Sequence, residues 1–168
     1  MSDKKRWMTV VGVTAVGLGL AGVAGRGLWT LQQHLQRTTD AQIVGLVSFR
    51  HRGCPLRTEN FDPTRTRLVY TDLRGPISER VAEAIGSVDV IVNMASESHV
   101  DRSISDPVPF IENNVAVALN MLEYARRVKP RLFIQVSTDE VYGPAPEGEL
   151  HREWSPILPS NPYAASKA

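Results

Sequence analysis

Short apolar runs along the chain alternate with longer stretches in which apolar residues recur every three or four positions. The runs predict strands, and their continuous apolar character is typical of parallel strands covered on both faces. The spaced stretches predict amphipathic helices, the first of which ends near residue 36. Strands that alternate with helices indicate an α/β fold with a doubly wound, Rossmann-type parallel sheet. The five predicted strands cover residues 9–18, 42–48, 68–70, 88–94 and 132–136.

Start and stop signals set the bounds of two further helices. Pro76 is expected to open one helix, and Gly86 to end it. Asp106 is expected to cap a longer helix that begins at Pro107 and ends at Lys129. The predicted buried residues of the longer helix are Val108, Ile111, Val115, Leu119, Leu122 and Ala125.

The composition is that of an ordinary globular protein. Charged residues make up 22% of the chain, and a net charge of +1 gives no basic surface for a nucleic acid. The single cysteine, Cys54, excludes an internal disulfide and suits a reducing, cytoplasmic compartment. The four histidines show no metal-ligand spacing, so no metal site is predicted. The 168 residues fit one domain, residues 1–168.

The N-terminal segment Trp7–Gly25 is uncharged and has two interpretations. Because Lys4, Lys5 and Arg6 precede it, it resembles a membrane anchor. However, five of its nineteen residues are glycine, and it barely reaches the length that spans a bilayer. A buried strand, a glycine turn and a helix fit the segment better, and a membrane-tethered protein stays the alternative.

Gly19, Gly22 and Gly25 have the spacing GxxGxxG between a predicted strand and a predicted helix. Glycines there let a pyrophosphate approach the backbone amides at a helix N-terminus, although a structural turn also explains them. The acidic residue that usually binds the adenosine ribose is missing after the second strand. Arg50 and Arg52 follow instead, which favours either NADP or a solvated basic loop.

Polar residues that can perform acid–base chemistry follow the fifth predicted strand. Thr138 is followed by two carboxylates, Asp139 and Glu140, and adjacent carboxylates are suited to divided acid and base roles. Tyr163 and Lys167 lie four residues apart, which places both on one face of a helix. An ammonium beside the phenol is expected to lower its pKa and so make it a usable base. Prolines between residues 144 and 162 predict a loop that joins the two groups.

Three segments carry a resemblance to a known family. The chain resembles the extended short-chain dehydrogenase/reductase family and, within it, the dTDP-glucose 4,6-dehydratases. Their motifs AESHVDRS, STDEVYG and PYSASKA read SESHVDRS, STDEVYG and PYAASKA in this chain, within Met94–Ser103, Ser137–Gly143 and Asn161–Ala168. The likeness is dense from Leu68 onwards and thin before Gly53.

The resemblance implies a reaction in three stages on a nucleotide sugar. Tyr163, helped by Lys167, would take the proton of the 4-hydroxyl while hydride passes to NAD, and Thr138 would bond the sugar. Glu140 would then remove the C5 proton while Asp139 protonates the departing 6-hydroxyl. Hydride would return to C6, so that the cofactor is regenerated.

The resemblance also assigns binding residues and partners. Ser98 joins Thr138 as a substrate contact, and a homodimer is implied for the full-length protein. The implied NAD contacts, with the first fingerprint glycine included, are Gly19, Gly22, Gly25, Asp72, Leu73, Met94, Ala95, Ser96, Ser98, Asn113, Tyr163 and Lys167.

Three departures from the family leave alternatives open. Leu18 and Leu20 replace a usual threonine and glycine of the fingerprint, and the ribose-binding acid is absent. Family members continue into a C-terminal substrate domain, whereas this chain stops one turn into the helix of Tyr163, which would be marginal alone. The chain is therefore expected to be an inactive fragment of a dehydratase, a non-catalytic dinucleotide-binding remnant or subunit, or part of another NAD(P)-dependent nucleotide-sugar epimerase or dehydratase.

Overall fold

The structure, a computed structural model, describes residues 7–11, 31, 33–48 and 62–168. Its centre is a sheet of five parallel strands in the order β3-β2-β1-β4-β5. The order changes direction between β1 and β4, and in doubly wound sheets a ligand-binding crevice opens at this point. The strands are β1 (Trp7–Val11), β2 (Gln42–Val47), β3 (Thr66–Tyr70), β4 (Val90–Asn93) and β5 (Leu132–Gln135).

Helices connect the strands in the described part of the chain. The long helix α4 joins β4 to β5 and is preceded by a short helix, α3. A 3₁₀ helix and a last helix follow β5. The bounds are α1 (helical at residues 33–38), α2 (Glu79–Ile85), α3 (Val100–Ser105), α4 (Val108–Val128), the 3₁₀ helix (Asp139–Tyr142) and α5 (Pro162–Lys167).

The core lies between the middle of the sheet and the helices α2 and α4. All six residues of β2 are buried, as expected for a strand with neighbours on both edges and covered faces. Val44 and Ile91 pack with Ile85 of α2 and Met121 of α4, and each of these four side chains is fully buried. Burial of this cluster stabilises the layers that hold the strand ends in place.

The predicted doubly wound parallel sheet is confirmed, with small differences in strand bounds. β1 begins at Trp7 rather than at residue 9, and residues 12–18 of the predicted strand lie outside the described residues. β3 begins at Thr66, two residues earlier than predicted. β4 covers residues 90–93 rather than 88–94, so it starts two residues later and ends one residue earlier than predicted.

One predicted helix start and one predicted helix cap are wrong. α2 begins at Glu79 instead of Pro76, since the hydroxyl of Ser78 accepts the Val81 N–H at 3.3 Å and caps the helix there. Asp106 does not cap α4; it ends the additional helix α3, and its N–H bonds to the Arg102 carbonyl. Asp106 thus separates two helices instead of opening one.

The predicted buried face of α4 is also wrong. Five of the six residues assigned to it are exposed, and only Ala125 packs partly against the core. The helix carries two apolar faces, and the one against the sheet contains aromatic and amide side chains that helical periodicity of aliphatic residues does not reveal. The buried residues are Phe110, Asn113, Asn114, Val117, Met121 and Tyr124.

Truncation of Met121 should therefore destabilise the fold far more than truncation of Leu119. Met121 is fully buried, whereas Leu119 is 57% exposed. We expect Met121→Ala to lower the free energy of unfolding by about 2–5 kcal/mol and Leu119→Ala to change it by less than about 0.5 kcal/mol. Urea unfolding of both variants, at a protein concentration low enough for the chain to be monomeric, measures this, and equal losses would mean that the faces of α4 are assigned wrongly.

The loop after the 3₁₀ helix agrees with the sequence prediction. Between Gly143 and Asn161 the structure contains neither helix nor strand, as the prolines predict.

The start of the candidate membrane anchor is a strand. Residues 7–11, the first five of the candidate anchor, form the central strand of the sheet, and residues 12–25 lie outside the described residues. Among the described helices, none combines the length and the apolar character needed to cross a bilayer.

Candidate active site

The turn after β5 presents a hydroxyl and two carboxylates at the carboxyl edge of the sheet. Thr138 caps the 3₁₀ helix: its hydroxyl oxygen accepts the Glu140 N–H at 3.3 Å and its hydroxyl lies 3.2 Å from a carboxylate oxygen of Asp139. Gly143 ends this helix at φ 76°, a conformation that glycine adopts without strain. The cap and the glycine thus fix Asp139 and Glu140 in one tight turn.

Helix α5 carries Tyr163 and Lys167 to the same edge. It is only six residues long, yet three hydrogen bonds from other elements hold it. The Tyr163 N–H donates to the Ser103 hydroxyl at 3.1 Å, and Ser137 donates to the Lys167 carbonyl at 2.8 Å. The third bond runs from the Asn114 amide to the Ser166 hydroxyl at 2.8 Å. Packing partners therefore compensate for the shortness that made this helix marginal from sequence.

The phenol of Tyr163 meets the turn after β5. Burial raises the pKa of Tyr163, hydrogen bonding with the Thr138 side chain lowers it, and the carboxylates of Glu140 and Asp139 raise it again. The hydrogen bond and the effect of the two carboxylates require that these groups lie near the phenol. The structure therefore brings together the hydroxyl, the acid pair and the phenol that the sequence predicted at one site.

The pKa of Tyr163 is raised, with burial as the largest cause. The effect of Lys167 on the phenol stays a prediction. Burial lowers the pKa of Lys167 itself. The i, i+4 spacing places both side chains on one face of α5, but spacing alone does not set the distance between their charged ends.

Lys167 should cost the protein stability because its ammonium is partly withdrawn from water. We expect Lys167→Met to raise the free energy of unfolding by about 0.5 kcal/mol near neutral pH, after allowance for partial exposure. The destabilisation is complete at pH values where Lys167 is charged in both the folded and the unfolded state. It disappears above the ordinary lysine pKa of 10.5, so the stabilisation by Lys167→Met should vanish there. Lys167→Arg keeps the charge and is the control. Equal stabilisation by both variants would contradict this explanation.

The segment after β4 supplies most of the remaining predicted contacts. Ala95 and Ser96 are small and buried, at 2% and 6% exposure, so the backbone lines the edge of the sheet without large side chains in the way. Asn113 of α4 is buried beside this segment, whereas Ser98 is exposed and Met94 is half-buried.

Asp72 and Leu73 are the other predicted contacts that the structure describes. Asp72 follows β3, and its carboxylate binds the Arg74 guanidinium at 2.8 Å, while the neighbouring Leu73 is buried. Gly19, Gly22 and Gly25 lie outside the described residues, as do Arg50 and Arg52. In the described part of the chain no group of three histidine, cysteine, aspartate or glutamate side chains could hold a metal.

Sequence reasoning missed the asparagines that build the site. Asn114 is 3% exposed; its amide oxygen accepts the Glu97 N–H at 2.7 Å, and its amide nitrogen donates to the Glu97 carbonyl at 2.9 Å. Asn93, at the end of β4, donates to Gln135 of β5 at 2.8 Å. Polar residues inside an apolar strand or on a buried helix face are the sequence signal that could have revealed them.

A parallel doubly wound sheet, with a Tyr-x-x-x-Lys helix packed against a threonine and a carboxylate pair, defines a Rossmann-fold protein of the short-chain dehydrogenase/reductase class. The family model for GDP-mannose 4,6 dehydratase matches residues 20–168. The chain therefore belongs to that family of nucleotide-sugar dehydratases and epimerases.

Relatives and solved structures agree with this assignment. The dTDP-glucose 4,6-dehydratase of Streptomyces niveus is 37% identical over 141 residues, which are 83% of this chain and 41% of the relative. The dTDP-glucose 4,6-dehydratase DesIV of Streptomyces venezuelae, solved with NAD bound, is 31% identical with a TM-score of 0.75, over 96% of this chain and 48% of that one. The UDP-glucose 4-epimerase of Thermus thermophilus, in complex with NAD, is 27% identical with a TM-score of 0.74, over 95% and 47%. The chain spans about half the length of these proteins.

Proposed function

We propose that this chain is the NAD-binding half of a nucleotide-sugar 4,6-dehydratase that converts dTDP-glucose to dTDP-4-keto-6-deoxyglucose. The observation that carries the proposal is the meeting of Tyr163 with Thr138, Asp139 and Glu140 at the carboxyl edge of the sheet. An elimination needs one base for oxidation and a separate acid–base pair for loss of water, and this cluster contains both.

NAD is the cofactor that the described residues fit best. Ala95 and Ser96 are small, so a dinucleotide would meet backbone rather than bulky side chains after β4. The ammonium of Lys167 forms no ion pair with any residue that the structure describes, so it is free to bond ribose hydroxyls. When bound, NAD supplies the acceptor and later the donor of one hydride. The further proposed contacts are Gly19, Gly22, Gly25, Asp72, Leu73, Met94, Ser98, Asn113 and Tyr163.

The residues of the chain divide the proton transfers between them. Tyr163 accepts the proton of the sugar 4-hydroxyl, and Thr138 bonds the same oxygen and the phenol. Ser98, which is exposed, would contact the sugar. The 4-ketone acidifies the C5 proton, so Glu140 then removes it as a base. Asp139 protonates the 6-hydroxyl as it leaves, so water is lost, and Glu140 returns its proton to C5 when C6 takes up the hydride.

A 4-epimerase is the second candidate, because the Thermus thermophilus epimerase has nearly the same fold similarity to the chain. Epimerisation needs only the phenol and the hydroxyl, which take and return the proton of the 4-hydroxyl while hydride leaves and returns to C4. The two adjacent carboxylates after Thr138 have no task in such a reaction, and this favours the dehydratase. A non-catalytic NAD-binding subunit is the third candidate, because a Rossmann-type sheet can bind the cofactor without turnover.

Incubation of the purified protein with dTDP-glucose and NAD separates the three candidates. A dehydratase yields a 4-keto-6-deoxy product that has lost one water, which mass spectrometry detects. An epimerase yields dTDP-galactose of unchanged mass, and a non-catalytic subunit binds NAD without turnover. NAD binding without either product would therefore overturn the proposed activity while leaving the fold assignment intact.

We also propose that the protein forms a homodimer through the exposed face of α4, and that it acts in the cytoplasm. Val108, Ile111, Val115, Leu119 and Leu122 form an uncovered apolar stripe along this helix, and uncovered apolar stripes of this kind often form subunit contacts. Sedimentation velocity measures the oligomeric state, and a monomer at all concentrations tested would contradict the dimer.

A further inference from the structure

Asn161 is the residue that begins helix α5, and its side-chain oxygen performs an ordinary capping task. The oxygen accepts the Ala164 N–H at 2.8 Å while the backbone of Asn161 is extended. Pro162 follows at the first helical position, where its missing N–H costs nothing. A cap of this type stabilises a helix that is only six residues long.

The other end of the same amide reaches into the candidate active site. The Asn161 Nδ2 donates to the Glu140 Oε2 at 2.7 Å, a short bond to a charged acceptor. The Glu140 Oε1 accepts no hydrogen bond from any residue that the structure describes. One carboxylate oxygen is therefore held in place, and the other is left available to take a proton.

We propose that Asn161 is a positioning residue for the carboxylate of Glu140; this rests on the base role that the proposed function gives to Glu140. The amide fixes Glu140 to the N-terminus of α5, and Tyr163 lies two residues further along. The Asn161 side chain bonds both to α5 and to Glu140 of the 3₁₀ helix. The relative position of the two bases of the reaction, the phenol and the carboxylate, is therefore fixed. The assignment also makes Oε1 the atom of Glu140 that removes the C5 proton.

Asn161→Asp separates the two tasks of the residue. Aspartate is as good a helix cap as asparagine, so α5 keeps its first hydrogen bond. It cannot donate to Glu140, and it places a second negative charge against Oε2 instead. In the double variant Asn161→Asp with Glu140→Gln, the new amide can donate to the new carboxylate, so the bond is restored with its direction reversed.

A double-mutant cycle in urea unfolding tests the contact without any need for turnover. We expect Asn161→Asp to lower the urea midpoint and the double variant to recover at least half of that loss. Additive effects of the two substitutions would show that the bond does not contribute in solution and would overturn the proposal. A wild type without turnover would contradict the proposed function instead, because the cycle would still show the coupling.

Turnover of dTDP-glucose then tests the positioning role. Asn161→Asp should slow the elimination at least tenfold, while the preceding oxidation, followed by the transient absorbance of reduced nicotinamide, stays within about threefold of wild type. A merely structural role would lower both steps together, since Tyr163 is carried by the same helix, and equal loss of the two steps would overturn the proposal.

Discussion

Replacement of Tyr163 by phenylalanine is expected to reduce the oxidation of the sugar by about 10²–10⁴-fold, because the substitution removes the proposed base and nothing else. NAD affinity should change little, since the ring and its packing in α5 remain. In the wild type, the rate should rise with pH: the phenol must lose its proton, and burial and the nearby carboxylates raise its pKa. The variant should lose this pH dependence. Stopped-flow absorbance of reduced nicotinamide and a titration with NAD measure the two quantities.

Tyr124→Phe is the matched control for loss of a phenol hydroxyl. The Tyr124 hydroxyl is buried and has no hydrogen-bond partner among the described residues, so its removal should leave turnover unchanged and the stability equal or slightly higher. Full activity in Tyr163→Phe would show that another group takes the proton. Loss of NAD binding in that variant would show instead that the phenol is needed for the cofactor.

Glu140→Gln is expected to stop the reaction after oxidation. Glutamine has nearly the same shape and its oxygen can still accept the bond from Asn161, so the turn should keep its geometry while the base is lost. We expect elimination to fall by about 10²–10⁴-fold. Reduced nicotinamide should then accumulate during the first turnover, whereas in the wild type it should remain transient.

Glu147→Gln gives the control for removal of one glutamate charge, because Glu147 lies in the exposed loop after the 3₁₀ helix. Its turnover should match the wild type. If Glu140→Gln blocked oxidation as strongly as Tyr163→Phe does, the two residues would act in the same step. The proposed assignment of oxidation to Tyr163 and of elimination to Glu140 would then be wrong.

The sequence predicted the architecture because apolar runs and helical spacing report burial directly. The five strands, the connecting helices and the edge on which Thr138 and Tyr163 meet follow from the rule that parallel strands place their carboxyl ends on one side. The residues that hold this site were harder to see. Asn114 and Asn161 act through side-chain hydrogen bonds to distant parts of the chain, and local patterns carry no information on such partners.

The errors have similar causes. Aliphatic spacing predicts a buried face of α4 that contains Leu119, whereas Phe110 and Tyr124 are the residues that the fold buries. Spacing also gives no net direction for the pKa of Tyr163, which depends first on burial. Both quantities are set by tertiary packing, which a period of 3.6 residues does not determine.

Transfer of the C4 hydrogen of dTDP-glucose to C6 of the product tests the central claim most directly. Substrate that carries deuterium at C4 is incubated with the protein and NAD, and the product is examined by NMR. A site in which one phenol and one carboxylate pair act over a single bound NAD predicts a 4-keto-6-deoxy sugar with deuterium at C6. A product that retains its 6-hydroxyl, or a deoxy product without deuterium at C6, would contradict it.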